Sequence, residues 1–134
     1  MRRVTTLEFC GQQRTVAFTV AAAEQLDAKA GSLERLGEWL AGDGGQMAAL
    51  GRCVEIVQLL MDEGENYERL QARYSGQERE KLAVPTVEEL KSLYTVQDLA
   101  TLKDVIFGAI SAGQQQEVES KAVEATGKNE SATS

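Results

Sequence analysis

The stretch QMAALGRCVEIVQLLMDE, residues 46–63, decides the fold of this chain. Its apolar side chains recur every three or four residues, which is the spacing of one face of an α-helix. A helix with so wide an apolar face must pack against several neighbours, so we expect it near the centre of a helical bundle. Gly64 is expected to end it. The apolar face comprises Met47, Leu50, Val54, Val57 and Met61, widened by Cys53, Ile56 and Leu60.

Two helices are predicted before this central one. Residues 20–30 are rich in alanine and stop at Gly31, a residue type that is favoured just after a helix. Residues 33–40 place their leucines on one face. The Gly-Asp-Gly-Gly run at 42–45 then separates this second helix from the central one.

Three shorter helices are predicted after the central one, with a charged loop between the first and the second. The second begins at a capping box, in which Thr86 binds the amide of Glu89 and the Glu89 carboxylate reaches back. The third begins similarly at Thr95 and Asp98 and is expected to end at Gly113. Their expected buried residues are Tyr67, Leu70, Tyr74, Val87, Leu90, Tyr94, Leu99, Leu102, Val105, Ile106, Ala109 and Ile110.

The N-terminal residues are predicted to form a β-hairpin. Residues 4–10 and 14–20 both alternate between apolar and polar side chains, and the Gly-Gln-Gln run at 11–13 forms the expected turn. A lone hairpin is only marginally stable in water, so the face that carries Leu7 and Val16 must dock on helices. The predicted fold is therefore mainly α, with a short N-terminal β-hairpin packed on a bundle of about five helices.

The folded domain is predicted to comprise residues 1–113, and residues 114–134 form a polar C-terminal tail. The tail has few apolar residues and no apolar stripe, so burial cannot offset the entropy lost on ordering it. It contains many Gln, Glu, Lys and Ala residues, which are good helix formers. We therefore expect the tail to be either disordered or an exposed helix.

The composition argues against an enzyme and against nucleic-acid or membrane binding. The chain has no histidine, and its two cysteines, Cys10 and Cys53, lack zinc-ligand spacing, so neither a catalytic base of the commonest kind nor a metal or cofactor site is predicted. A net charge of −7 disfavours binding to nucleic acid and to anionic membranes. No signal peptide or long apolar run is visible, and two free thiols fit a reducing compartment. Cytoplasmic localisation is expected.

Trp39 is the one residue that the sequence suggests as a partner contact. It is the only tryptophan and lies at the border of its helix's apolar stripe. Tryptophan is enriched at interaction hot spots, but packing against the core is the more common alternative for a residue at such a border. The hairpin also has strand edges, which proteins usually cover or use for pairing. Pairing of these edges is one way in which the chain can form a homo-oligomer.

Two stretches of sequence resemble the opening of tail assembly chaperones from long-tailed bacteriophages. They are LEFCGQQRTVAFTVAAAEQL, residues 7–26, and GSLERLGEWL, residues 31–40. In that family a hairpin with an apolar-x-Phe-Thr second strand leads into an Ala-Ala-x-x-Leu helix, a glycine and a short leucine-patterned helix. The resemblance covers about the first third of the chain, and the remainder is similar only in its helical character.

The resemblance implies a phage or prophage protein that assembles tails in the host bacterial cytoplasm. Such chaperones are not catalysts; they bind the tape-measure protein, help to recruit tail-tube subunits and leave before the virion matures. Two alternatives stay open. One is a structural tail component that is retained in the virion, and the other is a small acidic regulator or antitoxin.

Overall fold

A computed structural model describes the backbone of residues 3–129 and the side chains of residues 3–114. The elements are β1 (Thr5–Phe9), β2 (Gln12–Val16), α1 (Val20–Ala30), α2 (Leu36–Ala41), α3 (Gly45–Tyr74), α4 (Val87–Leu93) and α5 (Leu99–Asn129), with single 3-10 turns at Leu33–Arg35 and Val96–Asp98. The predicted fold class, a hairpin on about five helices, is confirmed for this part of the chain. Predictions about residues 1–2 and 130–134, and about the tail's side chains from residue 115 onwards, lie outside the described residues.

The hairpin forms as predicted, but its turn is shorter than expected. The two strands are antiparallel, with Thr5 opposite Val16 and Phe9 opposite Gln12. Only two residues connect them, Cys10 and Gly11, with φ angles of 53° and 82°. Two successive positive φ angles are typical of the hairpin turn whose twist matches that of the strands. The second strand therefore starts earlier than the sequence indicated.

The central helix does not end at Gly64, so that prediction is wrong. Helix α3 continues through this glycine to Tyr74 and absorbs the short helix predicted after it. Gly64 is buried beneath β2, and a Cβ built there would overlap the carbonyl of Thr15. One turn earlier, the Leu60 carbonyl accepts a 3.0 Å hydrogen bond from the Ala17 amide. The glycine is needed for this close approach of strand and helix rather than for a helix end.

The core lies around the middle of α3, as the sequence predicts, but the ends of this helix are exposed. Ile56 and Val57 are completely buried. By contrast, Met47 in the first turn is 64% exposed, and Leu70 and Tyr74 near the last turn are 47% and 83% exposed. Those three residues were expected to be buried. A helix of 30 residues is about 45 Å long, longer than the elements that cover its middle.

A buried carboxylate attaches the charged loop to α3. Glu65 is only 4% exposed and forms a 2.9 Å ion pair with Arg79. Its other oxygen accepts a 2.8 Å hydrogen bond from the amide of Leu82. The loop, residues 77–86, has no regular secondary structure, as predicted, yet it is held at a second point where Arg14 donates to the carbonyl of Ala83. Polar contacts thus hold this loop against α3 and β2, since its sequence has no regular pattern of apolar side chains.

Both predicted capping boxes are present. The amide of Glu89 donates to the Thr86 hydroxyl at 3.1 Å, and the Glu89 carboxylate accepts from the Thr86 amide at 2.9 Å. The amide of Thr95 donates to the Asp98 carboxylate at 2.7 Å. The second box opens a 3-10 turn that leads directly into α5.

Helix α5 contributes the expected buried face but does not end where predicted. Leu102, Ile106 and Ala109 are completely buried. The helix continues past Gly113 to Asn129, so the prediction of an end at Gly113 is wrong. A Cβ at Gly113 would lie 3.0 Å from the carbonyl of Phe18. This second glycine therefore also serves a close backbone approach, between α5 and the segment that follows β2.

The two thiols are expected to differ sharply in reactivity. Cys10 is exposed at the hairpin turn, whereas Cys53 is buried, and burial raises the pKa of its thiol despite the opposing charges of Lys103 and Arg52. A higher pKa leaves less thiolate at pH 8, and the core also blocks the reagent. Ellman's reagent should therefore titrate one thiol in the folded protein and two in denaturant. The Cys10→Ser variant should lose the fast reaction; two fast thiols in the wild type would contradict this placement of Cys53.

Candidate functional site

An open apolar groove lies between the first half of α3 and the connection from α4 to α5. Its volume is about 460 Å³. Four residues from α3 form one wall, and one residue from α4 and three from the α4–α5 connection form the other. These residues, which define the α3–α4 groove, are Met47, Leu50, Gly51, Val54, Lys91, Tyr94, Thr95 and Val96.

The groove stays open because small or exposed residues line it on both sides. A Cβ built at Gly51 would meet no atom within 4 Å, so this glycine leaves unfilled space along α3. Met47 and Val96 are exposed, by 64% and 41% of their surfaces. Methionine adapts its shape easily and is common on surfaces that bind varied apolar partners. The arrangement is suited to receiving apolar side chains from another molecule.

Tyr94 adds an unsatisfied polar group to this wall. Its hydroxyl is buried and has no hydrogen-bond partner among the described residues. Burial raises the pKa of Tyr94, and the negative charges of Asp98 and, when ionised, Cys10 raise it further, so the hydroxyl is protonated at neutral pH. Its ring centroid is 6.5 Å from that of Phe9 in the hairpin. Buried hydroxyls without partners are rare, and because this oxygen is almost inaccessible it is not offered to a molecule in the groove.

Among the described residues that line the groove, Lys91 is the only charged one. Its ammonium group lies 4.0 Å from the Glu88 carboxylate, and both side chains are largely exposed. An exposed pair at this distance contributes little, so the lysine is available to another anion. The α3–α4 groove therefore combines an apolar floor with one cation.

A second apolar surface lies near the other end of α3. It consists of Val20, Leu70 and Tyr74, which are 77%, 47% and 83% exposed, and we name it the α1–α3 patch. These residues border a depression of about 510 Å³. Along α3, 16 residues separate Val54 of the groove from Leu70 of the patch, which corresponds to about 24 Å. The two apolar surfaces are thus far enough apart to contact different partners.

A larger depression next to the hairpin is a weaker candidate. Its volume is about 630 Å³, and Phe9, Pro85 and Leu93 contribute apolar surface to it. However, Glu88 and Glu89 also line it, and Glu89 is already used in its capping box. Two carboxylates make this depression less suitable than the groove for an apolar partner.

Trp39, which the sequence suggested as a partner contact, does not line the groove. It is partly buried and packs against the core, and the Arg52 guanidinium lies 6.0 Å from the centre of its ring. Arg52 also donates hydrogen bonds to the carbonyls of Leu40 and Asp43. These contacts give the tryptophan a role in joining α2 to α3. A role in partner binding stays a prediction.

The described residues contain neither a candidate metal site nor a candidate membrane-spanning helix. Between residues 3 and 114, no group of three or more histidine, cysteine, aspartate or glutamate side chains is arranged to hold a metal ion. No helix in the described part of the chain is both long enough and apolar enough to cross a bilayer.

Comparisons of the chain with protein-family models, with curated proteins and with solved structures find no match.

Proposed function

We propose that this chain is a non-catalytic tail assembly chaperone of a long-tailed bacteriophage. In this proposal a helical segment of the tape-measure protein binds in the α3–α4 groove, and the α1–α3 patch helps to recruit tail-tube subunits. The complex forms in the host cytoplasm and needs no cofactor. The resemblance of residues 7–26 and 31–40 suggests the family, and the two separate apolar surfaces support the role.

The presence of two surfaces is the observation that carries the proposal. An assembly chaperone must keep one partner soluble while it brings in another. Exposed apolar patches on soluble proteins commonly mark interaction sites. The groove and the α1–α3 patch lie about 24 Å apart along α3, so two partners can be bound without overlap. The net charge of −7 also favours protein partners over nucleic acid.

The shape of the groove favours a helix as its occupant. In helix-in-groove recognition an amphipathic helix inserts residues spaced by three or four positions into an apolar channel. A volume of about 460 Å³ accommodates two or three large apolar side chains. Lys91 can pair with a carboxylate on the partner helix. An amphipathic helix with one acidic residue beside its apolar row satisfies all these features.

Co-expression tests the proposal. The gene should lie near a long reading frame that encodes a largely helical tape-measure protein. Producing the two proteins together should increase the soluble fraction of the tape-measure protein, and the complex should survive affinity purification. If its solubility is unchanged and no complex is recovered, the proposal is wrong.

The same system separates the proposal from its two alternatives. Mass spectrometry of purified virions should fail to find a chaperone, whereas a structural tail component would be present in many copies. A regulator or antitoxin would instead be encoded beside a toxin gene and would suppress that toxin's effect on growth. Detection of the chain in mature virions would favour the structural alternative over the chaperone.

A further inference from the structure

The two edges of the hairpin differ in how they are covered. The outer edge of β2 faces α3, where the Thr15 carbonyl contacts Gly64 and the Ala17 amide donates to Leu60. Helix α5 also packs against β1, but no backbone group of the described residues bonds to the outer edge of that strand. Thr6 and Glu8, the two residues whose backbone groups belong to that edge, are both exposed.

The register shows which backbone groups are free. In an antiparallel pair, alternate residues direct their N–H and C=O groups toward the partner strand, and the residues between them direct theirs away. Phe9 and Gln12 close the two-residue turn, so Phe9 and Leu7 bond to β2. The backbone groups of Thr6 and Glu8 therefore point outward. Neither residue makes a backbone hydrogen bond to another described part of the chain.

We propose that a second copy of this chain pairs its β1 strand with this edge, so that two hairpins form a four-stranded antiparallel sheet. Residues with outward-facing groups must lie opposite one another. The register that uses both of them places Thr6 opposite Glu8 of the partner subunit and Glu8 opposite Thr6 of the partner subunit. The two-fold axis then passes between Leu7 and Leu7 of the partner subunit, and four new backbone hydrogen bonds form.

The side chains on this edge match a second copy in that register. Each Glu8 carboxylate faces a threonine hydroxyl, which is a hydrogen-bond donor, rather than another carboxylate. A shift that placed Glu8 opposite Glu8 of the partner subunit would set like charges against each other, which destabilises a strand pair. One strand pair buries a small area, so the dimer is weak and depends on protein concentration. This inference is independent of the proposed function, since it needs only the hairpin.

Charge substitutions at Thr6 test the register with effects of opposite sign. Thr6→Lys places two ammonium groups opposite two Glu8 carboxylates and should tighten the dimer, whereas Thr6→Asp places like charges opposite each other and should weaken it. Two cross-strand pairs of this kind correspond to a change of about twofold to thirtyfold in the dimer dissociation constant. The double variant Thr6→Asp with Glu8→Lys restores an opposite-charge pair and should recover dimer formation.

Sedimentation velocity of the full chain, from about 10 µM to 1 mM with a reductant to keep Cys10 reduced, provides the measurement. Ala28→Lys and Ala28→Asp, on the exposed side of α1, make the same changes in net charge away from the edge. The proposal predicts that the Thr6 variants separate in opposite directions by more than the Ala28 variants do. A wild-type chain that stays monomeric throughout, or Thr6 variants that only match their Ala28 controls, would overturn it.

Discussion

Replacing Val57 with aspartate is expected to unfold the domain. Val57 is completely buried at the middle of α3, among the side chains that form the core. A carboxylate at this position would have to stay ionised without a partner or bind a proton at a strongly raised pKa, and either outcome costs several kcal/mol. Domains of this size are stable by about 5–15 kcal/mol, so most of that stability would be lost. Circular dichroism should show no cooperative thermal transition.

Met47 provides a matched control on the same helix. The sequence places Met47 and Val57 on one apolar stripe, but Met47 is 64% exposed in the first turn of α3. In Met47→Asp the new carboxylate stays in water. It lies near the N-terminal end of α3, where a negative charge is favourable. This variant should melt within a few degrees of the wild type. If Val57→Asp melts equally well, the assignment of α3 as the central helix is wrong.

Alanine is expected to have opposite effects at two glycines of α3. At Gly64 the new Cβ would overlap backbone atoms of Thr15, and a backbone cannot rotate away as a side chain can. Overpacking typically costs about 1–3 kcal/mol, and an overlap with backbone falls at or above the upper end, which exceeds the gain of about 1 kcal/mol from replacing glycine within a helix. At Gly51 the Cβ would meet nothing within 4 Å, so only the gain applies.

Chemical denaturation measures both effects. Gly64→Ala should lower the free energy of unfolding by about 2 kcal/mol or more, and Gly51→Ala should raise it by about 0.5–1 kcal/mol. The dependence of the free energy of unfolding on denaturant concentration should be the same in both variants as in the wild type. This would show that unfolding exposes the same surface area and that only the stability has changed. A stabilising effect of alanine at Gly64 would contradict the close approach of β2 to α3.

The sequence alone was sufficient for the fold class because the decisive signals are local. Alternation of apolar residues predicts the hairpin, and the 46–63 stretch predicts the central helix. The capping boxes at Thr86 and Thr95 give the starts of two elements correctly. Each of these signals depends on residues within a few positions of one another. Backbone hydrogen bonding and capping operate over the same range.

The errors arise where tertiary contacts override a local signal. Gly64 and Gly113 were interpreted as helix ends, since glycine is favoured there. Both lie instead within helices where another backbone segment comes close: a Cβ would overlap backbone at Gly64 and would make a tight 3.0 Å contact at Gly113. A local pattern cannot distinguish these two uses of glycine. Only the packing of β2 on α3 and of Phe18 on α5 reveals the difference.

The groove was missed for a related reason. Its two walls are more than thirty residues apart in the sequence, and no local motif joins Met47 and Gly51 to Tyr94 and Val96. Trp39 stood out because of its residue type, yet the structure places it partly against the core. A clue was Met47. It is apolar but lies in the first turn of α3, before the part of that helix that the other elements bury.

Binding of the purified tape-measure protein to three forms of this chain tests the central claim most directly. Gly51→Trp fills the α3–α4 groove from a position where the side chain has room, and Gly51→Ala leaves the groove open. The account predicts similar dissociation constants for the wild type and Gly51→Ala, and at least about tenfold weaker binding by Gly51→Trp, which corresponds to about 1.4 kcal/mol. Equal binding by all three folded proteins, or no binding by the wild type, would contradict it.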